Sequence, residues 1–303
     1  MLPSDLERFK DLDPIRTFYE SFPYPSEVLV KEDPKPFEMR WCYKSALSFS
    51  QTVKLKKDMP NPLRILDAGC GTGLSTNYLA YQNLGSEILA IDISTNSLRI
   101  AMDRVAKSGA DKISKIKFKK ISIFDLKVSK YFHFINSSGI LQHLEDPQSG
   151  FLALDSFLRP GGIIYISVYA EKGRILINSL KNIFKKLGLS ANRKDIKLAK
   201  NMILNLPQSN VMRNDYEKRL LNNFMSDDYF ADLYFNPREI NFSLDMLFKM
   251  INKTSLDFGG FTNHSLWSLK QLMHGELLRK SLKLSQREQF ELIQDLNHEI
   301  NNF

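Results

Sequence analysis

Between Leu63 and Thr76 the chain reads LRILDAGCGTGLST: an apolar run ends at Asp67, and glycines follow at 69, 71 and 73. Glycine has no Cβ and reaches backbone conformations closed to other residues, so this spacing builds a loop that a nucleotide can approach closely. The pattern G-x-G-x-G is not the dinucleotide fingerprint G-x-G-x-x-G. Counted from Gly69, the last glycine position holds Leu74; counted from Gly71, it holds Thr76. An acid two residues before the first glycine would repel a diphosphate and suits a ligand that is cationic at this end. Two more acids follow apolar runs, Asp92 in ILAIDIS and Asp125 in ISIFDL, and histidines stand at 133, 143 and 264.

The elements around these residues alternate. LRILDA reads as a buried strand and GLSTNYLAYQN as a helix. SEILAIDI, KIKFKKISI, YFHFINSSG and GGIIYISVY read as further strands, with helices over TNSLRIAMDRVAKSG and DPQSGFLALDSFLR. Strands regularly separated by helices imply an α/β doubly wound, mostly parallel Rossmann-like sheet with helices on both faces. Four regions are expected: an N-terminal helical arm over 1–62, the nucleotide-binding core over 63–170, a helical insertion over 171–235, and the end of the core sheet with C-terminal helices over 236–303. In the last region SLDMLFKMINKTSLDFGGF predicts a helix followed by a strand.

The motifs together resemble the class I S-adenosylmethionine-dependent methyltransferases. Their first motif is an acid followed by x-G-x-G-x-G, which DAGCGTG matches position for position. S-adenosylmethionine carries an ammonium and a sulfonium and has no phosphates, in keeping with Asp67 and the absence of a third spaced glycine. The resemblance implies that Asp67, Ala68, Gly69, Cys70, Gly71, Thr72 and Gly73 line the cofactor. It implies that Asp92, with Ile93 beside it, accepts from the ribose hydroxyls. It implies that Asp125 bonds the adenine amino group while Phe124 packs nearby. SSGILQHLEDP resembles the family's segment beneath the methyl donor and implicates Ser138 and His143; LRPGGIIYIS resembles its turn into the fifth strand. Two positions depart from the family pattern: His133 stands where an acid is usual, and Gln142 replaces the first of two paired histidines. Both leave the acceptor chemistry open.

Transfer from a sulfonium needs mainly alignment, plus a base where the acceptor must lose a proton. His143 is the candidate base; the alternative is a histidine bonded to backbone at a helix start. His133 reads as structural within its strand, and His264 as either a site residue or part of the tail. In the arm, FYESFPYPSE reads as a packed strip or as a lid that brings Tyr19 or Tyr24 to the acceptor. Insertions after a fifth strand roof the carboxyl ends of the sheet, so 171–235 is expected to be a substrate cap. Its acids Asp227, Asp228 and Asp232 match no metal loop and read as solvated or capping, with Asp232 also a candidate to bind the acceptor; no metal is expected.

The reading is therefore methyl transfer from S-adenosylmethionine, with S-adenosylhomocysteine as product, to a small-molecule acceptor. The alternatives are an RNA (tRNA) or protein methyltransferase, and a non-catalytic S-adenosylmethionine-binding protein. Residues 171–220 hold twelve Lys and Arg against four acids, a surplus equal to the whole net charge of +8. Such a segment attracts a polyanion or an anionic membrane, or is a solvated helical face. Nucleic acid is not favoured, because neither N-P-P-Y nor an RNA-binding appendage is present. Only Cys42 and Cys70 occur, and no apolar run is long enough to span a bilayer, so a reducing cytoplasm is the expected setting.

Overall fold

The computed structural model describes residues 14–25, 39–49, 60–221, 226–297 and 300–303. The Pro-rich piece between 26 and 38 lies outside them. Helix α1 (Pro14–Ser21), a 3-10 turn (Met39–Trp41) and α2 (Tyr43–Phe49) precede the sheet. The alternating part follows as β1 (Arg64–Ala68), α3 (Leu74–Gln82), β2 (Glu87–Asp92), α4 (Thr95–Ser108), α5 (Ala110–Ile113), β3 (Lys115–Lys120), β4 (Phe132–Ser138), α6 (Pro147–Phe157) and β5 (Leu158–Ser167).

All pairings are parallel, in the order β3-β2-β1-β4-β5, with Leu66 opposite both Leu89 and Ile135. Successive residues on a strand point to opposite faces. Accordingly Leu66 and Ile135 pack with Phe151, Leu154 and Leu247 on one face, while Ile65 and Phe134 pack with Leu79 and Val105 on the other. At the β3 edge the chain places Lys115, Lys117, Lys119 and Lys120, and charged lysines blunt an unpaired edge. The strand order reverses between β1 and β4. At such a reversal the connecting loops diverge and leave a crevice beyond the carboxyl ends.

Helices α7 (Ile175–Lys186), α8 (Arg193–Leu204), α9 (Val211–Leu221) and α10 (Asp227–Phe235) make up the insertion. They enclose a second core of Ile177, Leu180, Phe184, Ile196, Ile203, Tyr216, Phe230 and Tyr234, and Phe18 of α1 is part of it. Arm and insertion therefore share one apolar cluster.

Helix α11 (Leu244–Ile251) forms as expected, but the strand expected after it does not. Gly259 and Gly260 interrupt that segment, and glycine weakens a strand. Its aromatics pack as a group instead: Phe258 meets Phe261, and Phe261 stacks on Trp267 at 3.7 Å. After α12 (Leu269–Leu272), α13 (Gly275–Ser281) and α14 (Gln286–Leu296), the last residues bond to the exit of β5, with Val168 and Phe303 exchanging both backbone bonds. No helix among the described residues is long and apolar enough to cross a membrane.

Candidate active site

The glycine loop leaves β1 at the reversal point. A Cβ at Gly73 (φ +81°) would lie 2.8 Å from the Cα and Cβ of Ala101, so glycine there lets α4 pack against the start of α3. A Cβ at Gly71 (φ +51°) would meet only the Tyr24 carbonyl oxygen, at 3.4 Å. The first glycine serves packing; the second borders open space. The Cys70 N–H donates to the Ile91 carbonyl at 2.9 Å, tying the loop to β2. The Cys70 thiol is buried, which pushes its pKa well up and keeps it protonated. Thr72 is buried as well, and its carbonyl accepts from Arg104 Nε at 2.9 Å.

Asp67 is fully enclosed. Its carboxylate accepts from Ser75 Oγ at 2.8 Å, Thr76 Oγ1 at 2.6 Å and Asn136 Nδ2 at 2.7 Å. Burial raises its pKa, against the pull of these donors. Its lone pairs are taken by the protein, and it acts through the loop and the start of α3 that it holds. Ser138 Oγ donates to Asn136 Oδ1 at 2.8 Å, which joins β4 to the same network.

Asp92, half-buried at the end of β2, accepts from the N–H of Gly71 at 2.9 Å through Oδ2 and from that of Ser94 at 2.8 Å through Oδ1. Ile93 is half-buried beside it, and burial raises the pKa of the Asp92 carboxyl. Phe124 is 48% exposed with Asp125 exposed next to it, an aromatic face left bare at the mouth of the crevice. Open space at Gly71, an acid on the loop and a bare ring beside a second acid fit a nucleoside with a cationic tail.

A second cluster assembles from three separate segments. Tyr19 Oη donates to Asp232 Oδ1 at 2.7 Å and accepts from Asn236 Nδ2 at 3.1 Å. His143, on the 3-10 turn (Leu141–His143) after β4, has Nε2 3.4 Å from the same hydroxyl. Its Nδ1 lies 2.7 Å from the Arg238 carbonyl oxygen. A carbonyl only accepts, so Nδ1 carries the proton and Nε2 presents its lone pair. Burial holds the ring's pKa below its usual value. Burial first, and Asp232 second, hold the Tyr19 hydroxyl well above its own. His143 is thus anchored to backbone through Nδ1, with Nε2 turned to the Tyr19 hydroxyl.

The arm reaches the loop directly. The Glu20 carboxylate accepts from the N–H groups of Thr95 and Asn96 at 2.7 and 2.9 Å, an acid at the electropositive start of α4. Tyr24 packs on Tyr229 with ring centroids 5.2 Å apart; burial first, then Tyr229 and Asp232, raise the pKa of its hydroxyl.

Several residues escaped the sequence reading. Asn236 was legible only as the Asn before a Pro that ends a helix. Tyr169 has its ring centroid 5.9 Å from that of His143, with the Arg174 guanidinium 3.7 Å over it. Glu239 holds Arg174 at 2.9 Å and Lys181 at 3.0 Å, all in the interior. Of the twelve cations in 171–220, six form ion pairs with acids: Lys172, Arg174, Lys181, Lys200, Arg213 and Arg219. Asp227 is the partner of Lys200, while Asp228 stands in the first turn of α10. Among the described residues no group of three His, Cys, Asp or Glu could hold a metal ion. His133 lies between Arg64 and Arg159 at the start of β4; burial and the two cations lower its pKa to about 4. His264 is exposed on the connection to the C-terminal helices.

A five-stranded parallel sheet with a glycine loop and flanking acids at its reversal point defines a nucleoside-binding α/β enzyme. A family model described as "Methyltransferase domain" matches residues 66–164. An uncharacterised protein of Synechococcus is 36% identical over 95% of this chain and 70% of its own length. The ubiquinone biosynthesis O-methyltransferase of Xanthomonas axonopodis is 30% identical over 36% of this chain and 44% of its own length. The structure of PKMT2 from Rickettsia typhi shares the fold, with a TM-score of 0.68 and 16% identity over 85% of this chain. The chain spans about half the length of that protein (51%). The chain carries the domain of the class I S-adenosylmethionine-dependent methyltransferases, a family whose cofactor is S-adenosylmethionine.

Proposed function

We propose that the protein methylates a small molecule held beneath the arm and the helical insertion, beyond the carboxyl ends of β1 and β4. The observation that carries this reading is the convergence of Tyr19, His143 and the Asp232–Asn236 helix end from three segments into one interior cluster. Tyr19 also packs against the second apolar core, of which Phe18 is part. A polymeric acceptor would need an open face, and half of the cations in the basic segment are consumed by internal ion pairs.

S-adenosylmethionine supplies a methyl group already activated by the positive sulfur. The protein's own residues bind and align. Asp92 receives the ribose hydroxyls, Phe124 and Asp125 receive the adenine, and residues 68–73 carry the amino-acid end. His143 Nε2 takes the acceptor's proton, and Tyr19 and Asp232 orient the acceptor.

The test is incubation of the full chain with isotope-labelled cofactor and a cell extract split into small-molecule and macromolecular fractions. Label in the small-molecule fraction is the expected result. Label confined to RNA or protein overturns the reading.

A further inference from the structure

We infer that the acceptor's nucleophile is an amine nitrogen, which enters as an ammonium and is held by Asp232 Oδ2 and His143 Nε2. This rests on the small-molecule reading above and names its substrate class.

The inference starts from a count of protons. Tyr19 has one hydroxyl proton, and at 2.7 Å it goes to Asp232 Oδ1. Asn236 Nδ2 donates to the Tyr19 oxygen and, at 3.3 Å, to the same Asp232 Oδ1. His143 Nε2 faces the Tyr19 oxygen at 3.4 Å but finds its proton already committed. Two acceptors are left without a donor among the described residues: the second oxygen of a carboxylate and the lone pair of a neutral imidazole. A ligand that brings N–H or O–H bonds would supply both acceptors with a donor. Gln142, adjacent to His143, is fully buried with its side chain near the Tyr169 hydroxyl.

Charge separates the two kinds of donor. The Asp232 carboxylate is 6% exposed and meets no cation among its hydrogen-bond partners. It favours an incoming ammonium and opposes the negative oxygen that a phenol must develop before attack. The rings of Tyr19 and Tyr169 flank His143 edge-on at 6.0 and 5.9 Å and fix the imidazole's orientation. The ammonium passes one proton to His143 Nε2, giving a neutral amine and an imidazolium that the Asp232 charge stabilises. The amine lone pair then forms the N–C bond as the C–S bond breaks. The C–S electron pair stays on sulfur, leaving S-adenosylhomocysteine and a methylated ammonium.

The experiment uses the full chain, cofactor with a deuterated methyl group, and a macromolecule-free cell extract, with products identified by mass spectrometry. In parallel, the Asp232→Asn variant is assayed, with its cofactor affinity measured by calorimetry and its melting recorded. A product deuterated on nitrogen is expected. So is a drop of at least about tenfold in its formation by Asp232→Asn at unchanged cofactor affinity, since a charge-assisted contact is lost. A product methylated on oxygen, carbon or sulfur overturns the amine assignment and leaves the small-molecule reading intact. An N-methylated product formed equally by Asp232→Asn overturns the role of the carboxylate. No labelled small molecule, with the cofactor still bound, overturns the small-molecule reading and this inference with it.

Discussion

Asp67 and Asp232 are both buried acids within reach of the crevice, and they are used in opposite ways. Asp67 collects donors from Ser75 and Thr76, eight and nine residues away along the chain, and from Asn136 on the neighbouring strand. Its network is complete without a ligand. Asp232 meets Tyr19 across 213 residues, keeps one oxygen unpaired, and stands near a histidine with an unused lone pair. The first site holds a loop in one conformation for a cofactor common to many enzymes. The second is short of donors and is completed by what it binds. A saturated network confers rigidity, whereas an unsaturated one confers selectivity.

The comparison can be broken experimentally. The largest effect is expected from Gly71→Val, whose side chain fills the open space by the loop. Calorimetry should find no cofactor binding, and a melting curve recorded beside it separates that loss from misfolding, since φ of +51° strains any side chain at this position. Asp67→Ala strands several buried donors at about 1–3 kcal/mol each, so urea unfolding should show a loss of about 3–5 kcal/mol. Asp232→Ala frees Tyr19 to donate to His143 instead and should cost about 1 kcal/mol by the same measurement. Equal losses for the two alanine variants would erase the distinction drawn between the acids. Asp92→Ala should weaken cofactor affinity about ten- to a hundredfold, the worth of charge-assisted bonds at 1.5–3 kcal/mol. Unchanged affinity would refute the ribose assignment.

Tyr19→Phe should sharpen the contrast further, with turnover down about tenfold at unaltered cofactor affinity, because one hydrogen bond of about 1 kcal/mol is removed from the acceptor side alone. The smallest effect concerns pH. His133 is held neutral in the folded chain down to about pH 4, against an ordinary value of 6.5. Between those values the unfolded state binds the proton and the folded state does not, so stability falls as pH is lowered through that window. His133→Gln should flatten part of that fall in denaturation curves recorded across it.

The strands of the core, the helices between them and the glycine loop were legible because their signals are local. Alternation within LRILDA and ILAIDIS needs only neighbouring residues, and DAGCGTG is a loop whose conformational demands are met one residue at a time. The tail was less legible. SLDFGGF carries apolar residues at strand-like spacing, yet Phe258 and Phe261 are claimed by Trp267 and Phe290. In the acceptor cluster, His143 and Tyr19 could be singled out by type, whereas Asn236, Tyr169 and the Arg174–Glu239–Lys181 group could not. Buried polar side chains are recognisable only once their partners are known, and these partners lie on other segments.

By itself the sequence determined the doubly wound sheet, the loop at its reversal point and the class of ligand that loop admits, because backbone geometry and side-chain period act over a few residues. Only the tertiary structure decided that Phe18 belongs to the core of the insertion, that Asp67 is satisfied internally, and that Asp232 is left with an oxygen to offer. Hydrogen bonds and charges act over a few ångströms regardless of chain separation, so their balance exists only in the folded molecule.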